Sequence, residues 1–237
     1  GALLILNKKI LQSPFLNKKM KMVIVKHLVK AVIGYGDALL YIHGKYHWSY
    51  KRKKELMWAI APEYNSFARM YQYAINFRFN PDYSGLMSRD LNLIQRFVTR
   101  GVEKVHLKFE SEISGKKNFD WSTYFNLITR KPLYSQKMNI INIFKIINNN
   151  FILRKSNFGK SLSETKEFQC RLIGDKGVLM ALFPFVLYDA PLPNSLRRSI
   201  KDPLDFYINL WGQTNDENFA QSLPGKMISE KNQKGAA

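Results

Sequence analysis

The hydrophobic positions between residues 20 and 60 recur with a helical period. Measured from Leu28 at about 100° per residue, the residues within about 40° of it are Val32, Tyr35, Leu39 and Ile42. The flanks are nearly as apolar, which leaves a narrow polar arc of Lys26, Lys30 and Asp37. A helix this apolar is usually buried among other helices. We therefore predict that it is the centre of the fold, and that Gly34 and Gly36 let a neighbouring backbone come close.

Capping residues, glycines and prolines divide the rest of the chain into further elements. Gly44 predicts the end of the first helix, and Ser49 predicts the N-cap of the next. The further predicted helices are Tyr50 to Ile60, Pro62 to Phe79, Leu86 to Ile113, Asp120 to Thr129, Ser163 to Leu187 and Pro203 to Gly212. Pro132 is predicted to interrupt the chain after the fourth of these helices, and a break is predicted near Gly174 in the fifth. Ala2 to Leu6 predicts a short strand, and Met138 to Phe151 fits either a helix or a strand.

These elements predict an all-α helical bundle with a short N-terminal strand. We predict an N-terminal strand and basic segment over 1–19, a helical bundle core over 20–114, a second helical subdomain over 119–222 and a flexible tail over 223–237. The boundary near residue 115 rests on the polar run from Ser114 to Asn118. Arg154 to Lys166 is predicted to be a mobile loop at least in its first half.

Two segments of the chain carry a family resemblance. Residues 30–52 read KAVIGYGDALLYIHGKYHWSYKR, and residues 74–82 read AINFRFNPD. They resemble the C-terminal helical domain of large proteins in the DNA polymerase beta-like nucleotidyltransferase superfamily. The resemblance covers about a quarter of the chain and rests on Gly36, Asp37, Ala38, Leu39, Leu40, Gly44, Lys45, Tyr46, His47, Ser49, Tyr50, Lys53, Phe77, Arg78, Pro81 and Asp82. It implies a module that faces a substrate or a partner, with Tyr46 and His47 orienting the connection between two helices.

The catalytic signature of that superfamily is not found in the sequence. It consists of a Gly-Ser turn followed by two carboxylates one residue apart, which hold magnesium for nucleotidyl transfer. The one acid-x-acid triplet, Glu110-Ser111-Glu112, has no such turn before it. The expected role is therefore substrate binding without catalysis. Magnesium and a nucleoside triphosphate would belong to an upstream domain or partner chain, and a fragment of a longer protein is one explanation for the missing initiator Met at Gly1.

The composition adds a strongly basic balance, with a net charge of +19. Such a charge favours binding of RNA or another polyanion through phosphate contacts. A second explanation stays open, because lysine occurs together with asparagine and isoleucine, as A/T-rich coding sequence produces. Arg89, Arg96 and Arg100 lie in line on the polar side of one predicted helix, where they form either a solvated face or a polyanion surface. A nucleic-acid-binding or structural protein of a larger assembly is the alternative function.

The remaining candidate chemistry is sparse. Lys30 is the expected ion-pair partner of Asp37, and Lys26, Lys30, Asp37, Tyr46, His47 and Arg78 are the candidate substrate- or partner-binding residues. His43 and His47 have the spacing of a zinc pair, but Gly44 disfavours a continuous helix there. Arg100 and His106 match the R-x5-H spacing of ribonucleases of the HEPN class, although they lie about 120° apart on a helix. That ribonuclease is a third alternative.

Location follows from two features. No apolar run is long enough to cross a membrane, which takes about 18 residues or more. The single Cys170 excludes an internal disulfide and fits a reducing compartment, so a cytoplasmic location without a membrane partner is expected.

Overall fold

The computed structural model describes residues 1–135, 164–193, 197 and 200–215. The chain divides into two compact units, Gly1–Phe119 and Asp120–Ala237. Within the described residues the secondary structure is helical and contains no strand, so the prediction of an all-α helical bundle is confirmed. None of the described helices combines the length and the apolar character needed to cross a membrane.

The first unit contains six α-helices among its residues. They are α1 (Ala2–Leu11), α2 (Lys18–Ile42), α3 (Tyr50–Ala59), α4 (Asn65–Phe79), α5 (Tyr83–Met87) and α6 (Leu91–Ser114), with one 3-10 turn at Ala61–Glu63. Helix α2 is central, because α1, α3, α4, α5 and α6 all pack against it. Its buried side chains include Leu28, Val32 and Leu39. The apolar periodicity of this stretch therefore identified the centre of the unit.

The predicted N-terminal strand is wrong, because residues 2–11 form helix α1. Leu4, Ile5 and Ile10 are buried, and α1 packs against α2 and α6. Asn7 is also buried, and its amide donates to the Ile24 carbonyl at 3.1 Å and to Gln95 Oε1 at 3.2 Å. An apolar run of five residues is compatible with either element, and here the contacts with two long helices decide for the helix.

Two predicted helix boundaries also differ from the structure. The helix expected to begin at Pro62 begins at Asn65, after the 3-10 turn. The one expected from Leu86 is divided into α5 and α6, because Asp90 caps a new helix by accepting hydrogen bonds from the backbone N–H of Asn92 at 2.8 Å and of Leu93 at 3.2 Å. Helix α6 ends at Ser114 and is capped by Gly115, which adopts φ +66.

The two glycines of α2 have different surroundings. A Cβ at Gly36 would overlap the ring of Tyr71 from α4, whereas a Cβ at Gly34 would meet nothing within 4 Å. Close approach therefore requires glycine at one position only. The neighbour at that position is an aromatic side chain and not a backbone.

The second unit contains α7 (Trp121–Ser135), α8 (Glu164–Leu187) and α9 (Pro203–Asn215) among the described residues. Helix α7 packs on α8, where Trp121 stacks on Tyr188 with ring centroids 5.0 Å apart. The predicted interruption at Pro132 and the predicted break near Gly174 are wrong, because both helices are continuous there. The predictions for Met138 to Phe151, for most of the loop from Arg154 to Lys166 and for the tail over 223–237 lie outside the described residues.

Candidate functional site

A buried ion pair joins helices α2 and α3. Lys53 Nζ lies 2.7 Å from Asp37 Oδ2, and the side chain of Lys53 is 3% exposed, against 24% for Asp37. The Tyr71 hydroxyl of α4 donates to the other carboxylate oxygen at 2.6 Å. Both oxygens of the carboxylate are therefore bonded. The expectation that Lys30 pairs with Asp37 is wrong, since the partners come from two other helices.

The ammonium group of Lys53 also contacts two aromatic rings. It lies 4.4 Å from the ring centre of Tyr46 and 4.9 Å from that of Tyr50. On the outer side, the guanidinium of Arg78 lies 5.0 Å from the Tyr50 ring. Cation–π contacts of this kind help to compensate a cation that has lost its water. Five of the residues on which the predicted resemblance rests thus lie in one cluster, which we call the Lys53 cluster: Asp37, Tyr46, Tyr50, Lys53 and Arg78.

The surroundings fix the protonation states of Lys53 and of Tyr71, the two groups that bond to Asp37. Burial lowers the pKa of Lys53, but the hydrogen bond and the charge of Asp37 oppose it, and the net result is a raised pKa. Burial raises the pKa of Tyr71, and its hydrogen bond to Asp37 raises it further. At neutral pH, Lys53 is therefore a cation and Tyr71 a neutral hydrogen-bond donor.

The connection between α2 and α3 is held in a defined conformation. Gly44 adopts φ +64, and the backbone N–H of Lys45 donates to the Leu40 carbonyl at 2.8 Å. Nδ1 of His47 accepts a hydrogen bond from the backbone N–H of Ser49 at 3.0 Å. The His47 ring stacks on the indole of Trp48 with centroids 5.4 Å apart.

Trp48 is 82% exposed although it follows this anchored connection directly. It borders a groove of about 540 Å³ between α3 and α4, which we call the Trp48 groove; its lining residues are Trp48, Ser49, Tyr50, Lys51, Lys54, Ile75 and Phe79. Phe79 is 69% exposed and contacts Tyr50 edge to face at 5.6 Å. The groove therefore offers aromatic surface to an external molecule.

The charges around the Trp48 groove are cationic. Lys51 and Lys54 line it, and Lys54 Nζ donates to Asn76 Oδ1 at 2.9 Å. No carboxylate is among its lining residues. Aromatic faces next to ammonium groups suit a ligand that combines a planar ring with an anionic group.

The other predicted site residues lie elsewhere in the first unit. Lys26 lies 5.9 Å from the ring centre of Tyr83, and Lys30 lines a different groove together with Tyr35 and His106. The polar arc predicted on α2 is therefore not one site. Arg89 is exposed just before α6, and Arg96 and Arg100 are exposed on the outer face of that helix.

The structure does not assemble the zinc or ribonuclease candidates. The His43 ring contacts Tyr64 at 6.1 Å, and no group of three metal-ligating residues occurs in the described part of the chain. Arg100 is exposed, whereas the His106 side chain is 12% exposed and its ring lies 5.6 Å from that of Tyr35 on α2. The two side chains therefore point in different directions.

Trp48, Phe79, Lys51, Lys54 and Tyr71 were not among the residues predicted from the sequence. For four of them a signal exists in the sequence. Two aromatic residues precede four basic ones in the run Trp48 to Lys54, WSYKRKK, and an arginine lies between two phenylalanines at the end of α4. Tyr71 had no local signal, since its partner Asp37 is 34 residues away.

Comparisons with protein-family models, with curated proteins and with solved structures find no match for this chain.

Proposed function

We propose that this protein is a non-catalytic helical module that binds single-stranded nucleic acid in the Trp48 groove. The observation that carries the proposal is the 82% exposed indole of Trp48. Trp48 lies on the anchored connection between α2 and α3 and lines the same groove as Lys51 and Lys54 of α3. A tryptophan this exposed loses hydrophobic stabilisation that burial would provide. Binding of a base to its face would recover it.

The arrangement matches how proteins bind single strands without reading their sequence. Bases stack on aromatic side chains, and cations follow the phosphates. Trp48 and Phe79 would provide the stacking surfaces, and Lys51 and Lys54 would contact phosphates. The first unit has 21 basic and eight acidic residues, and 21 minus 8 gives a net charge of +13 that favours association with a polyanion.

The Lys53 cluster would act behind the groove as a positioning element. It joins α2, α3 and α4 and fixes Tyr50, which is itself a wall of the groove. Residues whose side chains are fixed before binding lose less conformational entropy when the ligand arrives. The cluster therefore supports the stacking surface, and Tyr50 is the member that lines the groove.

The family resemblance supports a more specific setting for the same activity. In that setting the module is the accessory half of a nucleotidyltransferase-like protein, and the bound strand is the substrate that it presents. Magnesium and the nucleoside triphosphate would be bound by the catalytic domain. This proposal is supported by the contacts among five residues on which the resemblance rests: Asp37, Tyr46, Tyr50, Lys53 and Arg78. They are separated in the sequence but lie in one cluster, as residues with a common role would.

Fluorescence anisotropy with a labelled oligouridylate tests the proposal. We expect Trp48→Ala to weaken binding by about 5- to 150-fold, since stacking contributes about 1–3 kcal/mol per base. Phe15→Ala is the matched control. Phe15 is 84% exposed but precedes α2, which is about 37 Å long and separates it from Trp48.

Salt dependence tests the phosphate contacts in the same assay. Replacing Lys51 and Lys54 by alanine should reduce the slope of log K against log salt by about 1.4, at about 0.7 per phosphate contact. Replacing Lys18 and Lys19, at the opposite end of α2, is the control and should change the slope less. Inorganic polyphosphate has no bases; if it binds as tightly as oligouridylate and Trp48→Ala has no effect, the proposed function is wrong.

A further inference from the structure

Two apolar side chains, Leu93 and Phe97, are exposed on the outer face of α6, where an amphipathic helix normally carries polar residues. Leu93 is 62% exposed and Phe97, one turn later, is 58% exposed. The opposite face is buried through Val98, Val102 and Val105. Because the outer side of an amphipathic helix is ordinarily polar, an exposed Leu–Phe pair in the first two turns of α6 indicates a contact surface.

Cations surround this pair. Arg96, Arg100 and Lys104 are exposed on the same side of α6. No hydrogen bond or ion pair of Arg96 or Arg100 occurs within the described residues, whereas Lys108 on the same helix lies 2.6 Å from Glu112. We call Leu93, Arg96, Phe97, Arg100 and Lys104 the α6 outer face. Arginine and aromatic side chains are both enriched at protein interfaces.

The charges on this face select among the possible occupants. A second copy of the chain would bring the same cations against each other, which is unfavourable. A nucleic-acid strand would satisfy the arginines, but the aliphatic Leu93 offers no ring on which a base could stack. An amphipathic helix with acidic residues beside its apolar stripe satisfies both the arginines and the apolar pair.

We infer that the α6 outer face binds an acidic amphipathic helix of a partner protein. Leu93 and Phe97 contact the apolar stripe of that helix, and Arg96 and Arg100 pair with its carboxylates. This surface shares no residue with the Trp48 groove. The inference therefore stands independently of the proposed function.

The probe is a synthetic peptide of about 20 residues with leucines at i, i+3, i+4 and i+7 and glutamates on both sides of that stripe. A peptide of the same composition in scrambled order is its control. Hydrogen exchange of the unmodified full chain gives the first readout. Addition of the synthetic amphipathic peptide should slow hydrogen exchange over residues 91–104 of the protein. The exchange rates of the fragments that cover α3 should stay unchanged.

Substitutions then test the two parts of the surface by fluorescence anisotropy of the labelled peptide. Phe97→Ser and Arg100→Glu should each weaken binding at least tenfold. Ile113→Ser is the matched control, because Ile113 is 63% exposed on the same helix but near its end. Circular dichroism checks that each variant keeps the helical content of the unmodified chain.

Several results would overturn the inference. These are the absence of binding, equal binding of the scrambled peptide, or an unchanged affinity of Phe97→Ser. Sedimentation that shows a dimer lost in Phe97→Ser would assign the face to self-association instead. Protection of 91–104 by oligouridylate, with loss of that protection in Arg100→Glu, would assign it to nucleic acid.

Discussion

Removal of the carboxylate of Asp37 should destabilise the first unit far more than loss of a surface ion pair. Asp37→Ala leaves the ammonium of Lys53 buried, with Tyr46 and Tyr50 as its remaining partners. Breaking a buried pair in this way costs about 3–5 kcal/mol. Because Asp37 itself is 24% exposed, water screens part of the interaction, and we expect a smaller loss than that range, about 2–3 kcal/mol.

The complementary changes isolate the interaction between the two charges. Lys53→Met keeps an unbranched side chain without the charge and leaves a carboxylate that water reaches in part, so it should cost less than Asp37→Ala. In Asp37→Ala/Lys53→Met neither charge remains. The double variant should therefore be less destabilised than the sum of the single variants, with a coupling of about 1–3 kcal/mol.

Native-state hydrogen exchange measures this effect in the full chain. The free energy of opening is compared for peptides from α2 and α3, and peptides from α7 and α8 of the other unit provide an internal control. Asp37→Ala should lower the protection of the α2 and α3 peptides much more than that of the α7 and α8 peptides. A loss below about 1 kcal/mol, as for a solvent-exposed pair, would contradict the role of the Lys53 cluster.

The same pair predicts an alkaline transition. The pKa of Lys53 is raised in the folded protein, so the folded state holds this proton more strongly than the unfolded chain. The stabilisation is therefore complete below the ordinary lysine pKa and is lost as the pH rises through the raised value. Lys53→Met should remove this loss, while Lys19→Met, at an exposed site, should retain it.

Three further substitutions test other parts of the fold. Gly36→Ala should destabilise the first unit by several kcal/mol, because the added Cβ would overlap the buried Tyr71 ring. Gly34→Ala on the same helix should instead stabilise the unit by up to about 1 kcal/mol, because its Cβ would meet nothing within 4 Å. Urea denaturation followed by circular dichroism measures both changes. Burial lowers the pKa of His27 to about 4, with a smaller contribution from Lys30, so stability should fall by about 1–3 kcal/mol as the pH drops from 6.5 to 4. His27→Gln should reduce that fall, and an unchanged pH profile would contradict this assignment.

The central helix could be predicted from the sequence because its signal is local. Apolar residues at helical spacing identify α2. The Asp90 cap of α6 is also a short-range feature, but the helix predicted from Leu86 ran through it. The run Ala2 to Leu6 is too short for its period to separate a helix from a strand, so the strand prediction there was wrong. Tertiary packing supplied the missing information.

The candidate site was less accessible to sequence reasoning. The partners of Asp37 are 16 and 34 residues away, and no periodicity indicates which of the many lysines and tyrosines will meet it. Lys30 was the expected partner only because it is on the same helix. Trp48 illustrates a second limit, because apolar patterning predicts which side chains are buried and does not reveal that an aromatic residue stays exposed.

Tryptophan fluorescence during titration with oligouridylate tests the central claim most directly. The chain contains four tryptophans, so the difference between the unmodified chain and Trp48→Ala isolates the contribution of Trp48. The proposal predicts that oligouridylate quenches the unmodified chain in a saturable, salt-sensitive manner and that Trp48→Ala removes most of this quenching. Equal quenching in both proteins, or none at concentrations where anisotropy shows binding, would contradict base stacking on Trp48.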